Sequence, residues 1–593
     1  MGTPKKRGDA LAVTLCFHGS ARQKPKTCNL HSEARSPKSV HLAVLLAAGL
    51  GALACGQQAG AADAAPGATA SAPAQACDPY KNYECLDKYL GEGFGERFVN
   101  YQKLEWGQPA GPADPKAPSP RREDWPATPM TTPPMPFTEW PYGGTESLGV
   151  TRTGSIDSPL MVAVSNTALG QWMNDNGFQV YGWIDVGTNV SSSTTKPGGN
   201  WPAAYLYNPD EITLDQAVIY WDRFPDTVQK DHIDWGMRIS AIYGTNYRYT
   251  TSYGLASYQL LHDNKANGYD FPMLWGELFF PQFGEGLMVR LGRFISLPDI
   301  EAQLAPNNYM YTHSMTYTYD NYTNTGLQTT YAVNKQFFVQ AGLTVGTEAS
   351  IPHLKATISN PHPNLLYPDA TFKQDPGSMP SFTLCGRYTT MSGYDDVNVC
   401  ADAINKGTWG YNNLQWFGAT YYHKFNEQWH VAWEGYHIYI KGVPNLNNAY
   451  VQNLNALYGT DGGTPFSSAQ GILFNNPNEA YCTNSNALTC RAGSYATVAY
   501  FNYSPNPMDN FSIRPEWFWD AEGQRTGTKT RYTNLGLGWQ HWFSPQVEVR
   551  PEIAYYHSWN APAFNGNFNA LPTPIAPNKN NETILSGDII WHF

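Results

Sequence analysis

The sequence predicts an all-β protein, a transmembrane antiparallel β-barrel of about fourteen strands, within bounds of about twelve to sixteen, with a short N-terminal helix at the barrel mouth. Three observations predict it. The chain ends on an amphipathic strand with an aromatic last residue, the connections between predicted strands alternate long and short, and aromatic residues make up 14% of the chain against 15% charged. A sandwich has no reason to alternate its connections, whereas a barrel with tight turns at one end and large loops at the other must. The 38 Tyr and 19 Trp suit the two interfaces of a bilayer. Beyond the leader no run of about 18 apolar residues occurs, so the chain is not a helical membrane protein.

Residues 1–61 read as leader and signal peptide. Lys38 precedes the apolar run Val40 to Ala54, and Ala59-Gly60-Ala61 suits signal-peptidase cleavage. The stretch ahead of Lys38 is long for such a segment, which points to an extended leader or a later start. Cys55 invites lipidation, but the Leu expected three residues before it is Ala52. Residues 1–38 hold eight Lys/Arg and two acids, and removing them leaves 30 basic against 47 acidic residues, a net of −17. Phosphate binding rests on Lys/Arg, so nucleic acid is excluded as a partner.

Residues 62–157 are a Pro/Ala-rich extension on the periplasmic side, largely irregular, with one small helical turn expected between Cys77 and Trp106. Residues 158–593 hold helix and barrel. Ser158-Pro159 provides a cap and a helix-compatible first position, and the apolar spacing predicts a helix over 159–173. Outside the leader six cysteines remain, and their proximity favours the pairs Cys77/Cys85, Cys385/Cys400 and Cys482/Cys490, placed in connections in an oxidising compartment. No C-x-x-C and no His pair at ligand spacing occurs, so no metal or cofactor is expected.

From Gly177 the pattern has a period of two. It predicts strands at 177–188, 213–223, 234–244, 271–280, 286–294, 325–333, 336–346, 413–424, 428–440, 493–503, 510–519, 532–543, 547–557 and 583–593. The last of these, T-I-L-S-G-D-I-I-W-H-F, puts Leu585, Gly587, Ile589, Trp591 and Phe593 on one face and Ser586, Asp588, Ile590 and His592 on the other. Such a strand seals a barrel against its own first strand.

Phase sorts lipid face from lumen face. Ala217, Ile219 and Trp221, Phe337 to Val345 at odd positions, and Leu535, Leu537 and Trp539 point outward. Asp185, Arg238, Glu277, Arg290, Arg514, Glu516, Glu548, Arg550, Glu552 and Asp588 point inward and are expected to line the pore, because a basic residue facing lipid would cost roughly 2–4 kcal/mol at midplane. Arg293 breaks the phase, which requires snorkelling or a bulge. Pro515 and Pro551 lie mid-strand in two R-P-E repeats and suggest bulges. Those repeats either set a transverse field across a channel or pair within the wall. The third long connection, 295–324, alternates Tyr/His with Thr/Ser over Tyr309–Tyr319; it is read as folding inward to narrow the pore, the other reading being a further strand.

No G-x-S-x-G, H-E-x-x-H or phosphate loop occurs, so no enzyme is predicted; His313-Ser314 reads as packing rather than as a catalytic pair.

The block Gly268–Gly346, with Y-D-F-P-M-L-W-G-E-L-F-F-P, G-L-M-V-R-L-G-R-F, A-P-N-N-Y-M-Y-T-H-S and T-N-T-G-L, resembles the OmpL-like β-barrel porin family. D-W-G-M-R-I-S-A-I-Y-G-T-N from Asp234 and the two R-P-E repeats fit the same pattern. The resemblance implies a bacterial outer-membrane barrel, with lipid as its surroundings, Trp591 and Phe593 as the signal that the outer-membrane assembly machinery reads, and a homotrimer by analogy. The expected function is passive diffusion of small polar solutes. Weak cation preference follows from the acidic balance. The alternatives are a surface adhesin or structural barrel with a plugged lumen, and a secreted carbohydrate-active β protein.

Overall fold

The computed structural model describes residues 77, 79, 83–106 and 158–593, except 253–254, 258, 260–264, 296–298, 322, 347–348, 351–378, 393, 407–413, 427, 459–478, 507 and 567–574. The leader, Cys55 and residues 107–157 lie outside the described residues.

One antiparallel sheet closes on itself as a barrel of 16 strands. They are β1 (Phe178–Ser191), β2 (Ile212–Arg223), β3 (Asp234–Gly244), β4 (Gly268–Asp270 and Leu274–Phe280), β5 (Gly286–Ile295), β6 (Thr323–Ala332), β7 (Phe337–Thr344), β8 (Ser381–Thr389), β9 (Asp395–Ile404), β10 (Gln415–Lys424), β11 (Trp429–Pro444), β12 (Thr489–Asn506), β13 (Asp509–Asp520), β14 (Thr530–Ser544), β15 (Val547–Val549 and Glu552–Ser558) and β16 (Asn581–His592). The expectation of about fourteen strands is corrected: β8 and β9 lie in what reads as one long connection.

The seam is as the terminal strand predicts. β16 pairs with β1 from Trp183↔His592 to Ser191↔Ile584. Beyond it, Gly182 and Phe593 exchange both backbone hydrogen bonds, at 3.0 and 2.9 Å. A Cβ on Gly182 would stand 2.8 Å from the Phe593 ring, so glycine is what lets the terminal aromatic lie on the wall. Inward residues Ile584, Ile590 and His592 are buried, while Leu585, Ile589 and Trp591 are exposed on the outside.

Outward residues form the pattern a bilayer demands. Leu278, Leu291, Leu327, Leu343, Leu384, Val399, Leu535, Leu537, Ile553 and Leu585 make an exposed apolar belt. Exposed aromatics flank it, Trp221, Trp235, Phe337, Trp429, Phe511 and Trp591 at the turn end and Tyr243, Tyr269, Phe417, Tyr495 and Tyr555 at the other.

Two prolines behave otherwise than expected. Pro551 splits β15 and Pro515 interrupts the β12 ladder, yet pairing on either side keeps one register, so neither makes a bulge. Each lacks a donor but not a place in the wall. Arg293 is buried and bonds Asp270 through both guanidinium nitrogens at 2.9 Å. Gly292 before it has φ 146°, and β4 breaks opposite at 271–273, so the inward phase changes on both strands together.

All three predicted disulfides are present: Cys77–Cys85, Cys385–Cys400 and Cys482–Cys490. Their placement in connections is corrected. Cys385 and Cys400 face each other across β8 and β9, and Cys490 lies in β12.

The helix expected over 159–173 is two, α3 (Pro159–Val164) and α4 (Ala168–Asp175), preceded by α1 (Tyr83–Leu90) and α2 (Phe94–Glu105). Ser158 caps α3 through Met161 N, but Thr167 accepts from Gly170 N and restarts the chain as α4. These helices do not sit in the mouth. Met161, Met173, Phe178, Val180 and Met237 cluster on the outer face of β1 and β3. Trp106 stacks on Phe543 and Phe98 meets Trp591 edge-on, both on the outer wall. The switch to period two from Gly177 is also incomplete, since α5 (Met315–Thr318) and α6 (Ala449–Tyr458) occur in connections.

Two outcomes follow. Phe593→Ser, or deletion of Phe593, is expected to lower the folded fraction in isolated membranes, measured by heat-modifiable mobility; an unchanged fraction would sink the role given to the terminal residue. In the folded barrel, mild reduction is expected to open Cys77–Cys85, where Cys77 is exposed and Cys85 half-buried, and leave Cys385–Cys400, whose residues are 2% and 4% exposed, intact. Thiol alkylation with mass spectrometry checks it, and labelling of Cys385 before unfolding would contradict it.

Candidate functional site

The connection between β5 and β6 is buried at every described position from 299 to 321. A chain that turns its back on solvent must satisfy its backbone elsewhere, and here it does so inside the barrel. The inward fold expected for it is what the structure contains, with no strand at Tyr309–Tyr319.

The A-P-N-N motif organises the loop. Ala305–Asn307 form a 3₁₀ turn. The Asn308 side chain accepts from Ala302 N at 2.9 Å and donates to the Ala302 and Leu304 carbonyls at 2.7 and 3.0 Å. Gln216 on β2 does the same from the wall, accepting from Ala305 N at 3.1 Å and donating to Gln303 O at 2.9 Å. Ser314 caps α5 through Tyr317 N at 3.0 Å.

Charged wall residues hold the loop. Arg514 donates to the Thr312 carbonyl and, at 2.8 Å, to its hydroxyl, and meets Glu552 at 3.2 Å. Glu552 accepts from Thr312 N at 2.8 Å. Glu516 accepts from the amide and hydroxyl of Thr316. Arg550 donates to the carbonyls of Ala305 and Asn308 and pairs with Asp588. Both R-P-E repeats therefore bond the loop as well as one another. Small residues make room for it: a Cβ on Gly536 or Gly538 would stand 2.9 or 2.8 Å from Met310, and one on Gly187 1.9 Å from the Tyr311 hydroxyl.

The other predicted inward residues all face the interior. Asp185 is buried beside Asp215 and Asp588. Arg238 pairs with Asp222 at 3.0 Å, Arg290 with Glu277 at 2.8 Å, and Glu548 meets His592 at 3.1 Å. Sequence reasoning missed several partners. Asp215 is the extra residue where the β1–β2 register shifts, and it accepts from Tyr311 at 2.8 Å. Glu301 accepts from Ser314 and Tyr500. Arg387 pairs with Asp396 across β8 and β9, strands not recognised at all. The signal for them was the same alternation, with Val397 and Val399 outside and Asp396, Asn398 and Asp402 inside.

His313 and Ser314 do not form a catalytic pair. The His313 Nε2 lies 2.7 Å from the Ala302 carbonyl, Ser314 donates to Glu301, and burial pushes the imidazole down to about 3.

The interior is not uniformly polar. Tyr181, Trp183, Tyr220, Trp275 and Leu304 form one apolar cluster between β1, β2, β4 and the loop, and Phe279, Met288, Ala332 and Phe338 form another.

A closed antiparallel barrel with an apolar belt, two aromatic girdles and one connection folded through its lumen defines the class of porin-type outer-membrane barrels. The chain belongs to the family described as "putative beta-barrel porin-2, OmpL-like", whose model matches residues 177–593, and its place is the bacterial outer membrane. Among solved structures it is similar to the outer membrane channel DcaP of Acinetobacter baumannii, with 10% identity, TM-score 0.38, and coverage of 70% of this chain and 97% of that one. It is also similar to an anion-selective porin from Comamonas acidovorans, with 9% identity, TM-score 0.41, and coverage of 70% and 99%. Pseudomonas putida OprB shows 10% identity, TM-score 0.39, and coverage of 73% and 98%. Comparison with curated proteins gives no match.

Arg514→Ala would leave Glu552 without its buried guanidinium, and breaking such a pair costs about 3–5 kcal/mol. The expected result is a lower thermal midpoint and new protease cleavage within 299–321. A variant as resistant to cleavage as the wild type would show that the wall charges do not anchor the loop.

Proposed function

We propose that the chain is a passive outer-membrane channel for small polar solutes with weak cation preference. The interior charge inventory supports it. Arg238, Arg290, Arg293, Arg387, Arg514 and Arg550 are each paired with a carboxylate. Asp185, Asp215, Asp299, Asp320, Glu434 and Glu516 are buried with no salt bridge among the described residues. Two further buried arginines, Arg248 and Arg525, stand against these six acids, so what remains is acidic on balance, and acidic linings favour cations.

The loop bonds β2, β11, β12, β13 and β15, and β9 at its end, where Asn321 donates to Asp402 at 2.8 Å, so the path assigned to solutes runs along the opposite wall, β4 to β9, away from that contact. There Glu277–Arg290 and Arg387–Asp396 alternate with the amides Gln328 and Gln340. Paired charges present dipoles that orient a polar solute without trapping it. In this reading Glu516 and Glu552 set the width of the passage, and the acids without salt bridges set its sign. Trimer formation and recognition of Trp591 and Phe593 by the assembly machinery belong to the same reading. A second reading, a structural or adhesive barrel with a plugged lumen, is favoured by the apolar clusters around Trp183 and Phe338.

Planar-bilayer recording of the refolded protein separates the two. Expected are discrete conductance steps and a zero-current potential on the cation side of a KCl gradient. Because the screening length grows from about 8 Å at physiological salt to about 30 Å at 0.01 M, the preference should rise on dilution. Absence of steps favours the plugged barrel, and a potential on the anion side removes the cation preference.

A further inference from the structure

Asp299 and Asp320 stand near the two ends of the inward loop, and Glu434 faces them from β11. One carboxylate oxygen from each lies within 4.8 Å of the others, and all three residues are buried. None makes a salt bridge among the described residues. Arg525 acts on Asp320 through its charge without contacting it closely.

The hydrogen bonding is incomplete in a directed way. Glu434 Oε2 accepts from Ile300 N at 2.9 Å, and Asp320 Oδ1 from Asn321 N at 2.6 Å. The other oxygens, Glu434 Oε1 and Asp320 Oδ2, and both oxygens of Asp299 accept from no N–H or hydroxyl donor, and the three acids lie within hydrogen-bonding reach of one another. Asp299 is 1% exposed, so its whole carboxylate is enclosed with unused lone pairs toward two other acids. Asn321 Oδ1, next in the chain to Asp320, is a further buried acceptor without a partner. Most other interior carboxylates are matched by guanidinium groups, loop amides or hydroxyls, as Asp588, Glu516 and Asp215 are. Here acceptors converge and no donor reaches them, although the buried Arg525 guanidinium, itself without a hydrogen-bond partner at its terminal nitrogens, acts on Asp320 through its charge; converging acceptors are the complement of a cation.

We propose that Asp299, Asp320 and Glu434 bind one divalent cation, calcium by preference, which fastens both ends of the inward loop to each other and to the wall. The donors are all oxygen, as hard cations require, and bidentate carboxylates suit calcium's six to eight ligands. Two ligands of one ion cannot be farther apart than twice the metal–oxygen distance. That limit is about 4.6–5.2 Å for calcium, and the three oxygens, within 4.8 Å of one another, fall inside its range. The ion adds two positive charges to three negative ones. The loop then carries two fastenings, Arg514 and Arg550 at its middle and the cation at its base.

Calorimetric titration of calcium into EDTA-treated full-length protein, folded in detergent micelles, tests this. The expected result is one ion per chain. Affinity should fall at least about tenfold in Asp299→Asn/Asp320→Asn, with the folded fraction judged by heat-modifiable mobility. The single wall variant Glu434→Gln provides the same comparison should the double variant fail to fold. Terbium luminescence, sensitised by the nearby Tyr317 and Tyr436 and displaced by calcium, gives a second readout. No binding by the wild type, or equal binding by folded variants, would overturn the site and leave the carboxylates sharing protons. None of these measurements depends on conductance, so they stand apart from the channel reading.

Discussion

Closure of the hydrogen-bonded sheet is the constraint from which the rest of the structure follows. In hydrocarbon an unpaired backbone amide has no water to turn to, so a strand array can cross a bilayer only if its first strand meets its last. Here that meeting runs from Trp183↔His592 to Ser191↔Ile584 and is completed by the Gly182–Phe593 pair. An even strand number puts both ends of the seam at the turn end, which is why the large connections gather at the other. It also explains why two mid-strand prolines are tolerated without a bulge. Closure fixes the register on both sides of β13 and β15, and a missing donor at one position cannot shift it.

Closure creates an enclosed space, and the second problem is how it is filled. The loop between β5 and β6 enters with its own backbone groups unsatisfied, and the wall supplies donors and acceptors where they are needed. Arg514 and Arg550 donate to loop carbonyls while Glu516 and Glu552 accept from loop amides. A lone carboxylate or guanidinium at these depths would be costly, and each is satisfied because the loop is there. Loop and wall charges are therefore one unit. A change in any of these side chains alters the position of the loop together with the charge, so selectivity and pore width cannot be varied independently through them.

Much of this was legible in the sequence. The terminal strand's faces and the inward orientation of all ten charged residues could be read because alternation at period two is imposed directly by the membrane; the three disulfides could be read because each pair is close in sequence, and the inward loop was one of two readings its composition allowed. The two missed strands show where that reading fails. Ser381–Thr389 and Asp395–Ile404 alternate as the others do, but Arg387, Asp395 and Asp396 dilute the apolar signal, and a nearby cysteine pair suggested a stapled loop. A hairpin brings Cys385 opposite Cys400 just as a loop would. Side-chain partners were less legible, since Arg387–Asp396 or Glu434 facing Asp299 depends on register between strands and on the path of a loop. A one-residue change in register moves every such pair, and the sequence of a single strand does not contain it.

The outer position of the helices follows from the seam as well. α2 and α3 are stitched by Arg97, which donates to Val162 O at 3.2 Å and Ser165 Oγ at 2.9 Å, and share a small core of Leu86, Leu90, Tyr101, Leu104 and Val162. From that unit Gln102 donates to His592 O at 3.2 Å, and Ser158 donates to Val180 O at 2.6 Å. The two contacts fall on either side of the β1–β16 junction. Phe98 covers Trp591 on one flank, and Trp172 stacks on Phe178 on the other. The junction joins the first strand of the barrel to the last, so it carries the largest loop-closure entropy in the barrel. Placing the helices there, and not in the lumen, adds contacts across the join that costs most to form and keeps the interior for the inward loop.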